Sequence, residues 1–577
     1  MSTLASLTAQ NSALGFDPYF ASGNSVTKSI FSSLLPNFHG QGPIGSAMRI
    51  AMKLHQYTFR RLSSSAKDGM GTESRKKDEE QTSKAIKVVD LLEHSAELGN
   101  MDAIYTLSQI YLFPPTCHFV SDPVAAYKGF LYHAQQTGNA TSQSIVAFFH
   151  SSGYRNVVPI DQAKAQLYYT FAANGGHRGA QMALGYRYWS GIGTQESCER
   201  ASLWYEAASE QVLTKLESGP PGGRTLPQTP TRLSDLVGGI FGPGASVAST
   251  GLNAGKPAIK AGMARDAGET WEDLLEYYFF NADRGEIDFA YRLGKIFYQG
   301  SIYASPGGIA SGSEGVGAVP RNYGFARHYF LQIARQIWPR DPQNPLAHKS
   351  LPPKNDHAAV GYAAASAGYL GRMYLRGEGV KADPMVAKMW FERGAEHGDR
   401  ECHNGLGIIY RDALMPGTKP DIRKAVTHFG VAAEQELAEA YVNLGKYHYG
   451  KYLIIGFRLQ CLIIVQNVAS KYFESAVRFG SPLEAYYYLG QISSNQARTP
   501  GILPHVASSS CAMAVSFYKL VSERGGWDED FLREAEIAWM SPVEQSKEIA
   551  VLKWWIAAER GSEVAQNNLA YVLDQGT

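Results

Sequence analysis

The densest group of side chains able to bind a metal or move a proton is His397, Glu401, Cys402 and His403. Imidazole, carboxylate and thiolate are ordinary zinc ligands, but a site needs them convergent in a closed shell. Here they fall across a turn and the start of the next helix, so no metal is expected. The five cysteines, Cys117, Cys198, Cys402, Cys461 and Cys511, form no CxxC pair. An oxidising compartment would allow one or two bridges among them, with partners the sequence does not assign and at least one thiol left over. Nucleophile-His-acid signatures, HExxH and a phosphate-binding glycine loop are all missing. The Gly-rich stretch at 301–319 lacks the Lys-Ser/Thr that phosphate binding requires, and no strand precedes it. The remaining chemical handle is Asn139-Ala140-Thr141, the sole N-x-S/T triplet, which follows Gly138 at an expected turn. Asn139 is the glycosylation candidate if the chain enters the secretory pathway. The expectation is therefore a protein with no catalytic residue, no cofactor and no small-molecule substrate.

The elements that carry these residues recur. Leu184-Gly185, Leu293-Gly294, Leu370-Gly371, Leu406-Gly407, Leu444-Gly445 and Leu489-Gly490 share one register, with Ser108, Ala147 and Ala570 in weaker copies. The step is 36 residues from 371 to 407 and 38 from 407 to 445. A fixed period in this range means stacked supersecondary units. The clearest copy is Ala367–Gly398. Ala367, Leu370, Gly371 and Tyr374 lie at helical spacing, and Gly377 and Gly379 end that helix. Asp383 caps a second helix with Pro384 in its first turn. Its apolar stripe is Ala387, Trp390, Phe391 and Ala395. The second helix returns as Ala165/Tyr168-Tyr169, Ala201/Trp204-Tyr205, Ala326/Tyr329-Phe330, Ala469/Tyr472-Phe473, Ala514/Phe517-Tyr518 and Val551/Trp554-Trp555. Small residues let two backbones approach, and the rings fill the space beside them, so these aromatics read as core. One helix pair cannot bury such rings alone, so neighbours must stack. The fold class is all-α, an α-solenoid of antiparallel helix pairs in two or three blocks.

Bulk properties agree. The chain has 577 residues, 44% hydrophobic content and a net charge of +1. Neither a basic excess for nucleic acid nor an acidic solvating tail is present. The first residues lack a basic segment followed by a long apolar one, and no run of 18 apolar residues exists that would span a membrane. Residues 1–84 read as disordered or loosely helical, 85–212 as a first repeat block, and 213–270 as a Gly/Pro/Ser-rich linker whose part 216–266 is a long flexible connection. Residues 271–525 read as a middle block, and 526–577 as the start of a truncated C-terminal block. The middle block carries a Gly-rich insertion at 301–320 and a Pro-rich one at 338–354, both expected to project as loops.

Two features break the period. The step from Gly445 to Gly490 is 45 residues, and the surplus coincides with the apolar run 453–465. That run reads as foreign to the repeat, for example from a misread exon boundary; the other reading is a hydrophobic contact loop. Second, Ser562–Asp574 reads as a first helix with no second helix after it. A solenoid end needs a polar cap, so further sequence, or a partner, is expected there.

The small-residue helix, the G-x-G-V turn and the A-x-x-W-F-x-x-A helix resemble Sel-1-like repeats. Asp161–Ala173, Tyr186–Cys198, Cys511–Trp527 and Glu563–Gln575 further resemble the Hrd/SEL-type adaptor subunit of the ER-associated degradation ubiquitin-ligase complex. The Trp338-Pro339 pair and the Gly-rich insertions are fungal-looking. The resemblance covers roughly 90–577, with gaps at the linker and insertions. It implies a non-enzymatic adaptor on the lumenal side of the ER membrane. Its partners would be a membrane ubiquitin ligase, a lectin-type client receptor and misfolded glycoproteins met on a concave helical surface, with no nucleic acid and with a homo-oligomer as a further possibility. The rival expectation is a soluble Sel-1-like regulatory scaffold that activates another enzyme, such as one of cell-wall synthesis or septation. A signal peptide, a membrane anchor and a complete third block are the parts of the family pattern not visible in this sequence.

Overall fold

In the computed structural model the described residues are 72–237, 271–303, 308–313, 315–342, 357–455, 459–527 and 530–575, with isolated positions between 239 and 268; the side chains of 72–79 and 451–466 are outside this set. The helices run α1 Thr72–Glu97, α2 Met101–Leu112, α3 Pro123–Thr137, α4 Ala140–Ser152, α5 Gln162–Asn174, α6 Arg178–Ser190, α7 Cys198–Glu217, α8 Trp271–Asp283, α9 Ile287–Gln299, α10 Tyr323–Ala334 and α11 His357–Arg376. They continue as α12 Pro384–Ala395, α13 Arg400–Asp412, α14 Ile422–Glu434, α15 Ala438–Ile455, α16 Leu459–Phe479, α17 Leu483–Ala497, α18 Pro504–Arg524, α19 Phe531–Met540, α20 Glu544–Glu559 and α21 Glu563–Asp574. No strand forms among the described residues beyond isolated bridges such as Ser301 to Ala318.

In six pairs the second helix starts where the sequence supplies a short polar acceptor. Asp122, Asp161, Ser197, Asn322, Asp383 and Asp421 each accept a backbone N–H of the first turn, which satisfies donors a helix start leaves open. Gly377 and Gly379 follow α11 with φ of +74° and +68°, a conformation that only glycine adopts without strain.

The repeated glycine is a contact surface for a ring. A Cβ placed on Gly294, Gly371, Gly407, Gly445 or Gly490 would lie 2.4–2.8 Å from the ring of Phe330, Phe391, Phe429, Phe473 or Tyr518 respectively. In each case the second aromatic of the pair meets the glycine of its own repeat, and each of these rings is at most 2% exposed. The same ring reaches the next repeat. Phe330 stacks on Tyr369 with centroids 4.5 Å apart, and Phe473 on Tyr488 at 5.0 Å. Where that next-repeat position is Gly405 instead, Phe391 lies directly on its backbone, 2.4 Å from an added Cβ. Burying one such ring contributes about 1.5–3 kcal/mol.

The residues group into two compact units that do not follow the linear blocks. One contains the chain to Tyr186, Ile192–Gln195 and everything from Phe531; the other contains Arg187–Gly191 and Glu196–Asp530. In the first unit Leu112, Ala126, Phe130, Ile145, Val146, Phe148 and Phe149 share one core with Leu552 and Ile556 of α20. Trp555 packs edge-on to Phe148 and Tyr154 at centroid distances of 6.4 and 5.9 Å, and Arg155 pairs with Glu548 at 3.0 Å.

In the second unit the pairs α9/α10, α11/α12, α13/α14, α15/α16 and α17/α18 stack in order, and α7 covers the last of them. Ala201, Tyr205, Ala208 and Val212 of α7 are buried, and Gly525 leaves room for Val212. Glu206 accepts from Arg498 at 2.8 Å and from the Tyr518 hydroxyl at 3.4 Å. A disulfide ties Cys198 to Cys511 across 313 residues of sequence. Helix α7, expected to close the first repeat block, thus serves as the terminal cover of the later array, because its apolar face meets the open side of α18.

Two sequence expectations meet the structure differently. The Gly-rich insertion does not project: Ile309, Ser311, Ser313, Val316 and Val319 are buried, and Ser311 Oγ accepts from the Ser481 amide at 3.3 Å. The expected flexible connection is bonded into the second unit over its first part, from Gly219 to Thr229. Residues 453–455 and 459–465 of the apolar run belong to α15 and α16, while its side chains, like residues 343–354 of the Pro-rich insertion and 1–71, lie outside the described set.

The seating of rings on glycine is testable against a matched control. Gly430 of α14 has nothing within 4 Å of an added Cβ, whereas Gly407 meets Phe429. Gly430→Ala should raise stability by up to about 1 kcal/mol through helix propensity. Gly407→Ala should lower it by about 1–3 kcal/mol through overpacking despite the same propensity gain. Thermal and urea unfolding check both; equal effects would contradict the seating.

Candidate functional site

The first helices of the second unit place a line of charged side chains along one face. In the register of the repeat glycine, the position six residues before it is Asp288, Glu401, Glu439 or Glu484, and the position just after it is Lys295, Arg372 or Lys446. Cation and carboxylate of different repeats then meet. Lys446 lies 2.6 Å from Glu484, and 3.3 Å from Glu217 at the end of α7. Arg372 lies 3.3 Å from Glu439, with side-chain exposures of 12% and 7%. Arg411 donates to Asn443 at 2.7 Å, and Asn443 donates to Asn404 at 2.9 Å. Arg376 pairs with Glu378 at 2.7 Å, and the Tyr298 hydroxyl also donates to Glu378.

Burial sets the electrostatics of this face. Desolvation first, then the like charge of Glu439, pushes the Glu401 carboxyl up to about 7 against the opposing pull of Arg372. Burial lowers the Lys295 ammonium, and the Glu401 charge acts against that fall. Burial would also lower Arg372, but Glu439, Tyr298, Glu378 and Glu401 outweigh it and raise its pKa further. A buried cation with carboxylates on neighbouring repeats fixes repeat-to-repeat orientation and leaves polar groups along the surface. Such a face can bind polypeptide; it lacks a nucleophile-base pair or an aligned proton relay among the described residues.

The groups picked out from sequence go to separate places. Cys402 is fully buried, with its thiol 3.7 Å from the Ala364 carbonyl oxygen. His403 Nδ1 is 3.0 Å from His428 Nδ1 on α14, His397 lies beside Trp338, and Glu401 faces the charged line. No group of three or more His, Cys, Asp or Glu able to hold a metal occurs among the described residues. Asn139 is exposed and caps α4, its Oδ1 accepting from the Ser142 amide at 3.0 Å. The charged line itself was not read from sequence. Its signal lies in fixed offsets from several of the repeat glycines, at positions outside the apolar stripe.

The pairing is open to a double-variant test. Arg372→Met leaves Glu439 buried without its cation and should cost roughly 3–5 kcal/mol. Adding Glu439→Leu should recover most of the loss. Urea unfolding of both variants measures this, and a double variant no more stable than the single one would contradict it.

Comparison with known proteins places these elements. The Sel1 repeat family model matches residues 140–177, 179–212, 311–336, 364–399, 400–437 and 438–455. The chain is 26% identical over 245 residues to protein sel-1 homolog 2 of Mus musculus, covering 42% of this chain and 29% of that protein. It is 21% identical over 496 residues to an uncharacterized Sel1-like repeat-containing protein of Schizosaccharomyces pombe, covering 84% and 65%. It is also 26% identical over 208 residues to the ERAD-associated E3 ubiquitin-protein ligase component HRD3 of Candida glabrata, covering 34% and 25%. The chain thus spans less than two thirds of the length of each of these relatives. Among solved structures it is similar to a protective antigen of uropathogenic Escherichia coli with an SLR fold, at 19% identity, 85% and 75% coverage and a TM-score of 0.25. A Sel1 repeat protein of Oxalobacter formigenes follows at 18% identity, 70% and 89% coverage and a TM-score of 0.24. The glycines that seat the rings at 371, 407 and 445 each fall inside a matched stretch, and the chain is therefore one that contains Sel1 repeats.

Proposed function

We propose that the chain is a non-enzymatic adaptor of an ER ubiquitin-ligase complex, which recruits misfolded proteins for ER-associated degradation. Repeat arrays of this kind spread binding over an extended surface, and the charged first-helix face is such a surface. The observation that carries the reading is the Cys198–Cys511 disulfide, in a chain whose relatives include a protein named as a ligase component of that process. Disulfides persist in oxidising compartments such as the ER lumen. The partners are a membrane ubiquitin ligase, a lectin-type client receptor and misfolded glycoproteins. No described helix is long and apolar enough to cross a membrane. The repeats within the stretches 85–212, 271–525 and 526–577 are those of this adaptor.

Asn139 is its glycan site. The cap of α4 uses Oδ1, whereas an N-glycan attaches at Nδ2, so cap and glycan coexist on one exposed side chain.

Affinity purification of the tagged chain from detergent-solubilised ER membranes should recover a membrane ubiquitin ligase and a lectin. Recovery of an enzyme of cell-wall synthesis or septation, with neither of those, would contradict the proposal. For the glycan, endoglycosidase should shift the mobility of the wild-type chain and leave Asn139→Asp unchanged, since aspartate keeps the cap and removes the acceptor. A wild-type chain with no shift would refute the assignment.

A further inference from the structure

The segment from Gly219 to Thr229 (GPPGGRTLPQT) runs along the charged first-helix face and is held mainly through its own main chain. Arg376 Nη1 donates to the carbonyl oxygens of Pro221 at 2.9 Å and Gly223 at 2.7 Å, and Nη2 donates to Thr225 Oγ1 at 3.1 Å. Trp527 Nε1 donates to the Thr225 carbonyl at 2.9 Å, and Arg321 Nη2 to that of Leu226 at 3.4 Å. Thr229 exchanges backbone bonds with the insertion, donating to Ser313 at 3.0 Å and accepting from Gly315 at 2.9 Å. Gly222 has a φ of +85° and comes so close that an added Cβ would sit 3.4 Å from Glu439.

Most of these donors address the backbone, and the buried Leu226 side chain adds an anchor that a Gly-Ser chain lacks. Side chains of the solenoid address successive carbonyls of an extended chain, while one apolar side chain, Leu226, is buried at 7% exposure. Peptide-binding modules share this division, with main-chain bonds for affinity and side-chain pockets for selectivity. The segment does not fill its groove. A small cavity remains beside it, lined by Ile309, Val442, Pro482 and Leu483, by Arg372 and Glu439, and by Leu226 of the segment itself. A connection that served only to join two helices would need neither a buried arginine aimed at its carbonyls nor a cavity left beside it.

We infer that the groove binds an extended, proline- and glycine-tolerant segment of another polypeptide through its main-chain carbonyls, and that residues 219–229 are an internal occupant which such a segment displaces. The inference rests on the reading of the chain as a scaffold that collects other polypeptides, and it names where and how one is held. An unfolded client exposes free carbonyls along an extended backbone, which a native globular protein has already paired.

The test uses the full chain with residues 219–229 replaced by a Gly-Ser linker of equal length. The probe is a fluorescein-labelled peptide with the sequence of residues 218–231, followed by anisotropy. The replaced chain should bind the peptide about tenfold or more tightly than the wild type, whose groove is occupied. Arg376→Met in the replaced chain should weaken binding by about tenfold or more, as expected from loss of hydrogen bonds to a charged donor. Binding no tighter than wild type, or indifferent to Arg376→Met, overturns the inference. Hydrogen exchange of the wild-type chain decides the matter if the replaced chain fails to fold. The amides of Gly223, Arg224 and Thr229 should exchange well ahead of the buried amides of α11 and α15, and exchange only together with those helices overturns it. A chain that recovers ligase and lectin while its replaced form binds no peptide loses this inference alone and keeps the adaptor role.

Discussion

A ring laid on the backbone of a glycine one helix away sets the spacing of the second unit. The contact forces the first and second helix of a repeat together, because nothing larger than hydrogen fits between Gly407 and Phe429 or between Gly445 and Phe473. The same ring then meets the following repeat, by stacking on Tyr369 or Tyr488 or by lying on Gly405. One side chain thereby fixes both the pair and the step to the next pair. Tight packing of this kind tolerates little change in volume, which is why the glycine register persists while the surface between copies varies.

That step places charges as well as rings. Once the first helices are held in one register, the carboxylates six residues before Gly445 and Gly490 face the cations one residue after Gly371 and Gly445. The Arg372–Glu439 and Lys446–Glu484 pairs are consequences of the period and not separate designs. They place ionised groups along the face that also carries Arg376, the arginine that grips the 219–229 segment. The interaction surface is thus built from the same geometry that builds the core.

Local features were legible in the sequence, and distant ones were not. The N-cap at Asp383, the glycine stops after α11 and the small-large alternation all depend on residues a few positions apart, and they stand where the periodicity placed them. The cover supplied by α7 depends on Tyr205 and Val212 meeting α18, some 300 residues later, and no local signal announces that pairing; nor does spacing single out Cys198 and Cys511 among five cysteines. Glycine and proline made 219–229 and 301–320 look like free loops. Their order comes from outside, from Arg376, Trp527 and Arg524 donating to their carbonyls, and composition carries no trace of such partners. The charged line lies between these cases, since its register is written in the repeat but at positions outside the apolar stripe.

The claim that the first-helix face is a polypeptide-binding surface is tested most directly by hydrogen exchange with and without a stably unfolded glycoprotein. Protection on binding should concentrate in the first helices of the second unit, at the segments around Arg372, Asn404, Asn443 and Glu484. Protection confined to the second helices α12, α14 and α18, or a pattern unchanged by the glycoprotein, would contradict it.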